Sequence, residues 1–286
     1  LGSTFGGLVD DHIKDPFLRN WIDLLCFLIS GLTKDENNAA AMSTLFQDWF
    51  NPNAYLEYPK GGSESIVNAL LKGFYSFGGK LRLNSRVNQI IIKRNKAIGI
   101  ELVNGEKIFC NQIVCNADIW NTIELLPKDV GQKWKADRVK TPKCNSFLHI
   151  HIGFNAEGLK NIPIHLIWVE DWSKGITAER NVAVLSIPST LDPAMAPANK
   201  HILHGYTPAN EPWEKWEHLK TGTKEYQKIK EERCSVFWKP IKKLVPDIEE
   251  RIDIKMLGTP LTHQRFLNTK NGSYGPALSA AEGLFP

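Results

Sequence analysis

Most of the signals that assign a function quickly are missing from this chain of 286 residues. Its five cysteines, Cys26, Cys110, Cys115, Cys144 and Cys234, form no Cys-x-x-Cys pair and show no zinc-ligand spacing. That excludes a disulfide framework and a zinc ribbon, and an odd set of scattered thiols reads as reduced and mostly buried, in an intracellular or organellar setting. Neither sign of charge dominates: 35 basic against 31 acidic residues give a net +4, with the two signs interspersed. A dedicated nucleic-acid binder is thereby excluded. The most apolar run, after Asp23, holds about 12 residues, short of the roughly 20 that a spanning helix needs. There is no signal-peptide pattern, no internal repeat and no low-complexity segment. No strand pattern leads into a Gly-x-Gly-x-x-Gly, and Gly2-Ser3-Thr4-Phe5-Gly6-Gly7 has no strand before it.

What is present is a chain of ordinary globular make-up, 42% hydrophobic and 23% charged, enough for a packed core. Residues 58–120 organise it. Ile66, Val67, Leu70, Leu71, Phe74 and Phe77 recur at helical spacing. Gly61-Gly62 precede that helix, Ser63 is positioned as its N-cap, and Gly78-Gly79 end it. Short strand patterns follow over 81–85, 90–92, 97–103, 107–110 and 112–115. Arg94-Asn95-Lys96 is a turn signal, and Asn104-Gly105 predicts a two-residue hairpin turn with both central residues at positive φ. The last apolar strand runs into Asn116-Ala117-Asp118, the kind of loop where open α/β sheets bind ligands.

Pro59-Lys60-Gly61-Gly62, Gly79-Lys80-Leu81, Ser85-Arg86-Val87 and the stretch 113–118 together resemble the middle of carotenoid isomerases (prolycopene isomerase-like) and related phytoene desaturases. These are FAD-dependent oxidoreductases of the amine-oxidase superfamily. A later stretch carries the most specific similarity: Gly258-Thr259-Pro260-Leu261-Thr262-His263-Gln264-Arg265-Phe266, then Gly272-Ser273-Tyr274-Gly275-Pro276, continuing through 277–286. The similarity runs over nearly the whole chain. It lacks the family's dinucleotide motif on one side and its Gly-Asp-Ser flavin segment on the other, so the chain is expected to be an internal fragment.

The resemblance implies an α/β fold: a Rossmann-like FAD-binding flavoprotein domain with an antiparallel-sheet plus helix substrate domain, both incomplete. It divides the chain into a substrate-side helical lid (1–57), an FAD-domain segment with a β-meander (58–135), a substrate-binding domain (136–257) and a return segment to the FAD domain (258–286). Implied cofactor contacts are Gly61, Gly62, Val87 (adenine side), Ala117 and Asp118; Asp118 reads equally as a helix cap. Arg265, a cation for a reduced flavin, and Tyr274, a ring with a hydroxyl, are the implied catalytic residues. The implied substrate is a carotenoid, with peripheral membrane association in a plastid or cyanobacterial cell. The same superfamily fold also serves non-catalytic prenyl-protein binders of the GDP-dissociation-inhibitor type.

Elsewhere the pattern predicts a helix over 17–32, opened by Asp15-Pro16 and apolar nearly all round, as a buried helix or a wall of an apolar tunnel. Further helices are expected over 39–50 and 120–135, and a charged amphipathic one over 223–244 with Tyr226, Ile229, Phe237, Ile241 and Leu244 inward. A clearly alternating strand over 147–154 and further strands over 164–169, 182–187 and 201–206 predict a mostly antiparallel sheet with one covered face, and 252–257 a further strand. His149 and His151 share a strand face, and His201 and His204 lie nearby in sequence; with no cysteine or carboxylate cluster joining them, no metal site is assigned.

Overall fold

In a computed structural model of the chain, residues 3–54 and 58–280 are described. Three helices come first: α1 (Phe5–His12), α2 (Pro16–Ser30) and α3 (Ala39–Trp49). Asp15 caps α2 by accepting from the Leu18 amide at 2.9 Å, with Pro16 in the first turn, as the sequence predicts. No helix among the described residues is long and apolar enough to cross a membrane.

Helix α4 (Ser63–Ser76) leads to a three-stranded meander, β1 (Val87–Lys93), β2 (Lys96–Leu102) and β3 (Lys107–Phe109), in the order β1-β2-β3. Gly62, not Ser63, is the cap of α4, because its φ of 74° and ψ of −169° suit a residue without a Cβ. At the other end the Gly79 amide donates to the Phe74 carbonyl and the Gly78 amide to that of Tyr75, with Gly78 left-handed, the expected glycine stop. The two-residue loop with positive φ at both positions is Arg94-Asn95. In Asn104-Gly105 only the glycine is left-handed, so that turn is a longer one than predicted.

Two predicted strands, 81–85 and 112–115, are not strands, since neither pairs with a neighbour among the described residues. Val114 is 97% exposed. The apolar face of α4 likewise has no cover among the described residues: Leu70 is 70% and Phe77 93% exposed.

The predicted helix over 120–135 is two, α5 (Ile119–Leu125) and α6 (Gln132–Arg138), split by Pro127, which lacks an amide hydrogen, and by left-handed Gly131. A five-stranded sheet follows from β4 (His149–Asn155), β5 (His165–Val169), β6 (Val182–Ser186), β7 (Lys200–Tyr206) and β8 (Ile252–Gly258), in the order β5-β6-β7-β4-β8 with every pair antiparallel. One face is the main core. Ile150, Ile152, Phe154, Leu185 and Leu203 pack there against α7 (Lys224–Cys234), α8 (Trp238–Leu244) and α9 (Ile248–Arg251). The predicted 223–244 helix is broken by a 3-10 turn at Ser235–Phe237, yet Tyr226, Phe237 and Ile241 point inward as expected.

The other face is not bare. Leu24 and Phe27 of α2 pack with Val182, Ile167 and Val169, so every residue of β6 is buried and the sheet is covered on both sides at that end. Beyond α2's cover, β7 and β4 carry polar and aromatic side chains on this face. Helix α10 (Pro260–Leu267), opened by a Thr259–Thr262 capping box, follows β8.

Candidate functional site

Among the described residues, two places gather side chains suited to a site. The first is a cavity of about 570 Å³ between the meander and the segment that runs into α5. Val87, at the start of β1, and Ala117, just before α5, both line it, with Ile90, Ile100 and Ile113 as further apolar wall. Arg86, Asn88, Asn116 and Asn121 give it polar edges. An apolar slot with a few hydrogen-bonding groups at its rim suits a flat heteroaromatic group.

Asp118 does not spend its carboxylate on the cavity. Its Oδ1 accepts from the Asn121 amide at 2.7 Å, and its Oδ2 accepts from Asn121 Nδ2 at 2.8 Å and from the Lys270 amide at 2.7 Å. It caps α5 and ties the return segment to it. Asn121 Nδ2 also donates to the Asn268 carbonyl at 2.6 Å, and Asn268 lines the same cavity. Chain segments about 150 residues apart therefore meet at this wall.

Gly61 and Gly62 stand elsewhere, at the N-terminus of α4. Both have positive φ, and no side chain among the described residues caps the helix there. The Gly61 amide donates to Asp192 Oδ2 at 2.9 Å, and a Cβ on Gly62 would meet Met195 Cε at 3.1 Å. The glycines thus dock against a loop of the large sheet's side.

The second place is the open face of the five-stranded sheet. The register puts Met256, His151, His204, Ser186 and His165 in one row across all five strands. His149 sits beside Tyr206 in the next row. His149 Nδ1 and His204 Nε2 share a hydrogen bond of 2.7 Å, and the His151 ring lies nearly parallel to that of His204, 4.6 Å away. His263 from α10 comes within 4.8 Å of His149, ring to ring, and Phe147 packs edge-on to both His263 and Tyr274. Burial drives these imidazoles toward neutrality: His149 is held down to about 2 by desolvation and by the neighbouring histidines, His204 to about 4 and His263 to about 4. Burial also raises the Tyr206 and Tyr274 phenols, with Tyr274 and Tyr58 each adding to the effect on Tyr206.

Tyr274 therefore belongs to the second place, 43% exposed at its edge. Arg265 lies on the last turn of α10, exposed, its guanidinium 5.2 Å from the Phe266 ring. Of the residues that the sequence points to, Val87 and Ala117 come together; Gly61, Gly62, Arg265 and Tyr274 do not join them at that cavity. The histidine group is what sequence reasoning missed. His-x-His on one strand was visible, but only the register shows that His204 faces His151, and only the fold brings His263 beside them.

The flavin containing amine oxidoreductase family matches residues 5–268. A chloroplastic prolycopene isomerase from Arabidopsis thaliana is 34% identical over 96% of this chain and 46% of its own length. A neurosporene-forming phytoene desaturase from Cereibacter sphaeroides is 26% identical over 90% of the chain and 50% of its own. The chain thus spans about half the length of the curated relatives it matches. Among solved structures, an oxidoreductase from Methanosarcina mazei superposes with a TM-score of 0.60 at 18% identity, covering 89% of this chain and 56% of that one. A redesigned putrescine oxidase gives 0.60 at 11% identity, covering 98% and 57%. At those identities the likeness is one of fold.

Proposed function

The chain belongs to the flavin containing amine oxidoreductase family, and from that premise we propose that it is part of an FAD-dependent enzyme that isomerises, or otherwise remodels, the double bonds of a carotenoid. The observation that carries the reading is the convergence of Val87 and Ala117, picked out in the sequence, on one apolar cavity of about 570 Å³. The residues fit the adenosine end of the cofactor: Val87, Ile100 and Ile113 offer an apolar wall and Asn88 and Asn116 a polar rim. Gly61 and Gly62, at the N-terminus of α4, stand apart from this cavity against Asp192 and Met195, and would meet a different part of the cofactor. When bound, reduced FAD would supply an electron pair lent to the conjugated polyene and returned after rotation, for an isomerisation that is redox-neutral overall, or oxidised FAD would accept the pair removed in a desaturation.

The chain's own residues would do the rest. The open face of the large sheet, with Phe147, Tyr206 and Tyr274, supplies flat aromatic surface for an elongated apolar substrate. Helix α2 presents Phe17, 59% exposed, packed against Trp172, as a wall of the apolar channel. Arg265, exposed on the last turn of α10 and apart from that cavity, would offer a cation only to a part of the cofactor that reaches it. An apolar substrate of this kind brings the enzyme to a membrane surface, and the relatives' names point to a plastid or a bacterium.

The test is to express the complete reading frame that contains this chain in a cell accumulating poly-cis lycopene, and to analyse the pigments. Conversion to all-trans lycopene supports isomerisation, and a change in the number of double bonds supports desaturation. Unchanged pigment with a colourless protein would favour the non-catalytic prenyl-protein-binding alternative.

A further inference from the structure

We propose that His149, His151 and His204 form a three-histidine site for a divalent transition-metal ion of the zinc class. The inference does not depend on the flavin reading and goes beyond it. The three donor atoms lie within 4.8 Å of one another. His149 and His151 are alternate residues of β4 and so project from the same face, and His204 stands directly opposite His151 on antiparallel β7. A His-x-His strand with a third histidine on its neighbour is a compact way to present three nitrogens to one point, leaving a fourth position open. Tetrahedral zinc bonded to nitrogen at about 2.0–2.1 Å requires nitrogens roughly 3.3 Å apart. The 2.7 Å contact between His149 and His204 has only to open slightly, and the remaining separations to close, by rotation of exposed or half-buried rings.

A second observation points into the same place. His263 is 9% exposed, its Nε2 has no hydrogen-bond partner among the described residues, and its ring is 4.8 Å from His149. An unpaired buried acceptor costs free energy unless something supplies it a proton, and water held at the open metal position would do so. An entry path exists: a cavity of about 580 Å³ reaches His149, His151 and His263 past Glu231 and Lys255, which pair at 3.3 Å.

The whole chain, carrying no affinity histidines and stripped with chelator, is titrated with cobalt(II) as a visible stand-in and then with zinc(II). The expected result is one equivalent of cobalt with the strong visible bands of a tetrahedral site, displaced by zinc. His151→Ala and His204→Ala should each weaken binding by at least about tenfold, while exposed His218→Ala leaves it unchanged. His151 is exposed, so its variant tests the site with little risk to folding. Where His204→Ala does not fold, imidazole nitrogen spectra of the unaltered chain replace it: three histidines should shift on adding zinc. Cobalt uptake that is equal in the unaltered chain and in His151→Ala, octahedral bands only, or unshifted imidazole nitrogens would overturn the proposal and leave a hydrogen-bonded imidazole cluster.

Discussion

Replacing Arg233 with Met tests how the helical layer is held to the large sheet. Glu211 follows β7, is fully buried, and exchanges backbone hydrogen bonds with Ser146 at 3.0 Å. Its carboxylate receives both Nε and Nη2 of Arg233, the latter at 2.9 Å, and Trp216 Nε1 at 2.7 Å. Arg233 Nη2 also donates to Glu179 at 2.7 Å. Methionine keeps the length of the side chain and removes the charge, so the Glu211 carboxylate retains only the Trp216 donor. Two charge-assisted hydrogen bonds at about 1.5–3 kcal/mol each are lost. Stranding one member of a buried pair costs about 3–5 kcal/mol in all.

The pH dependence follows from the same geometry. Burial pushes the Glu211 carboxyl up from its ordinary range, and Arg233 opposes that. Without the arginine, folded Glu211 holds its proton to a higher pH than the unfolded chain does. Over that window the native state binds more protons, so the variant's stability falls as pH rises, and its deficit against the unaltered chain should be smaller near about pH 5 than near about pH 8. Urea unfolding at both values measures it. Glu211→Gln combined with Arg233→Met should recover much of the loss, since no charge is then buried. A deficit under about 1 kcal/mol at neutral pH, or one that does not change with pH, would refute the reasoning.

Three further outcomes are expected. Gly272→Ala places a Cβ 2.2 Å from the Pro260 carbonyl oxygen at a φ of 59°, so thermal unfolding should show a loss of about 2 kcal/mol or more. Leu70→Lys, at a position 70% exposed on α4, should change the stability of this chain by less than about 0.5 kcal/mol; a larger loss would mean that the face is covered after all. Val87→Trp fills the meander cavity and should cut flavin affinity at least about tenfold in the complete protein, by fluorescence titration, with far-ultraviolet circular dichroism unchanged.

How much of this the sequence revealed depended on where each element finds its partners. Helix α2 was legible because its cap and its proline are local, and so was the end of α4, where Gly78-Gly79 supply the left-handed stop. Strand β4 was legible from alternation, which needs only one buried face, and β6 as a short apolar run, buried on both faces. The segments over 81–85 and 112–115 have strand composition but no paired neighbour among the described residues, and strand pairing cannot be read from one segment alone. The helix over 120–135 failed at Pro127 and Gly131, breakers present in the sequence. The Glu211–Arg233 pair joins residues 22 positions apart, and the histidine group joins β4, β7 and α10. Such meetings are set by register and packing rather than by spacing. The family motifs pointed to Val87 and Ala117 as cofactor positions, and the fold adds that they share a cavity wall.

The most direct measurement is the flavin content of the protein purified from its complete reading frame. Bound FAD, released on denaturation at close to one per chain and displaced when Ala117 is replaced by Trp, is the predicted result. A colourless protein that takes up no FAD on reconstitution, or one whose flavin binding is indifferent to bulk at both Val87 and Ala117, would contradict the account.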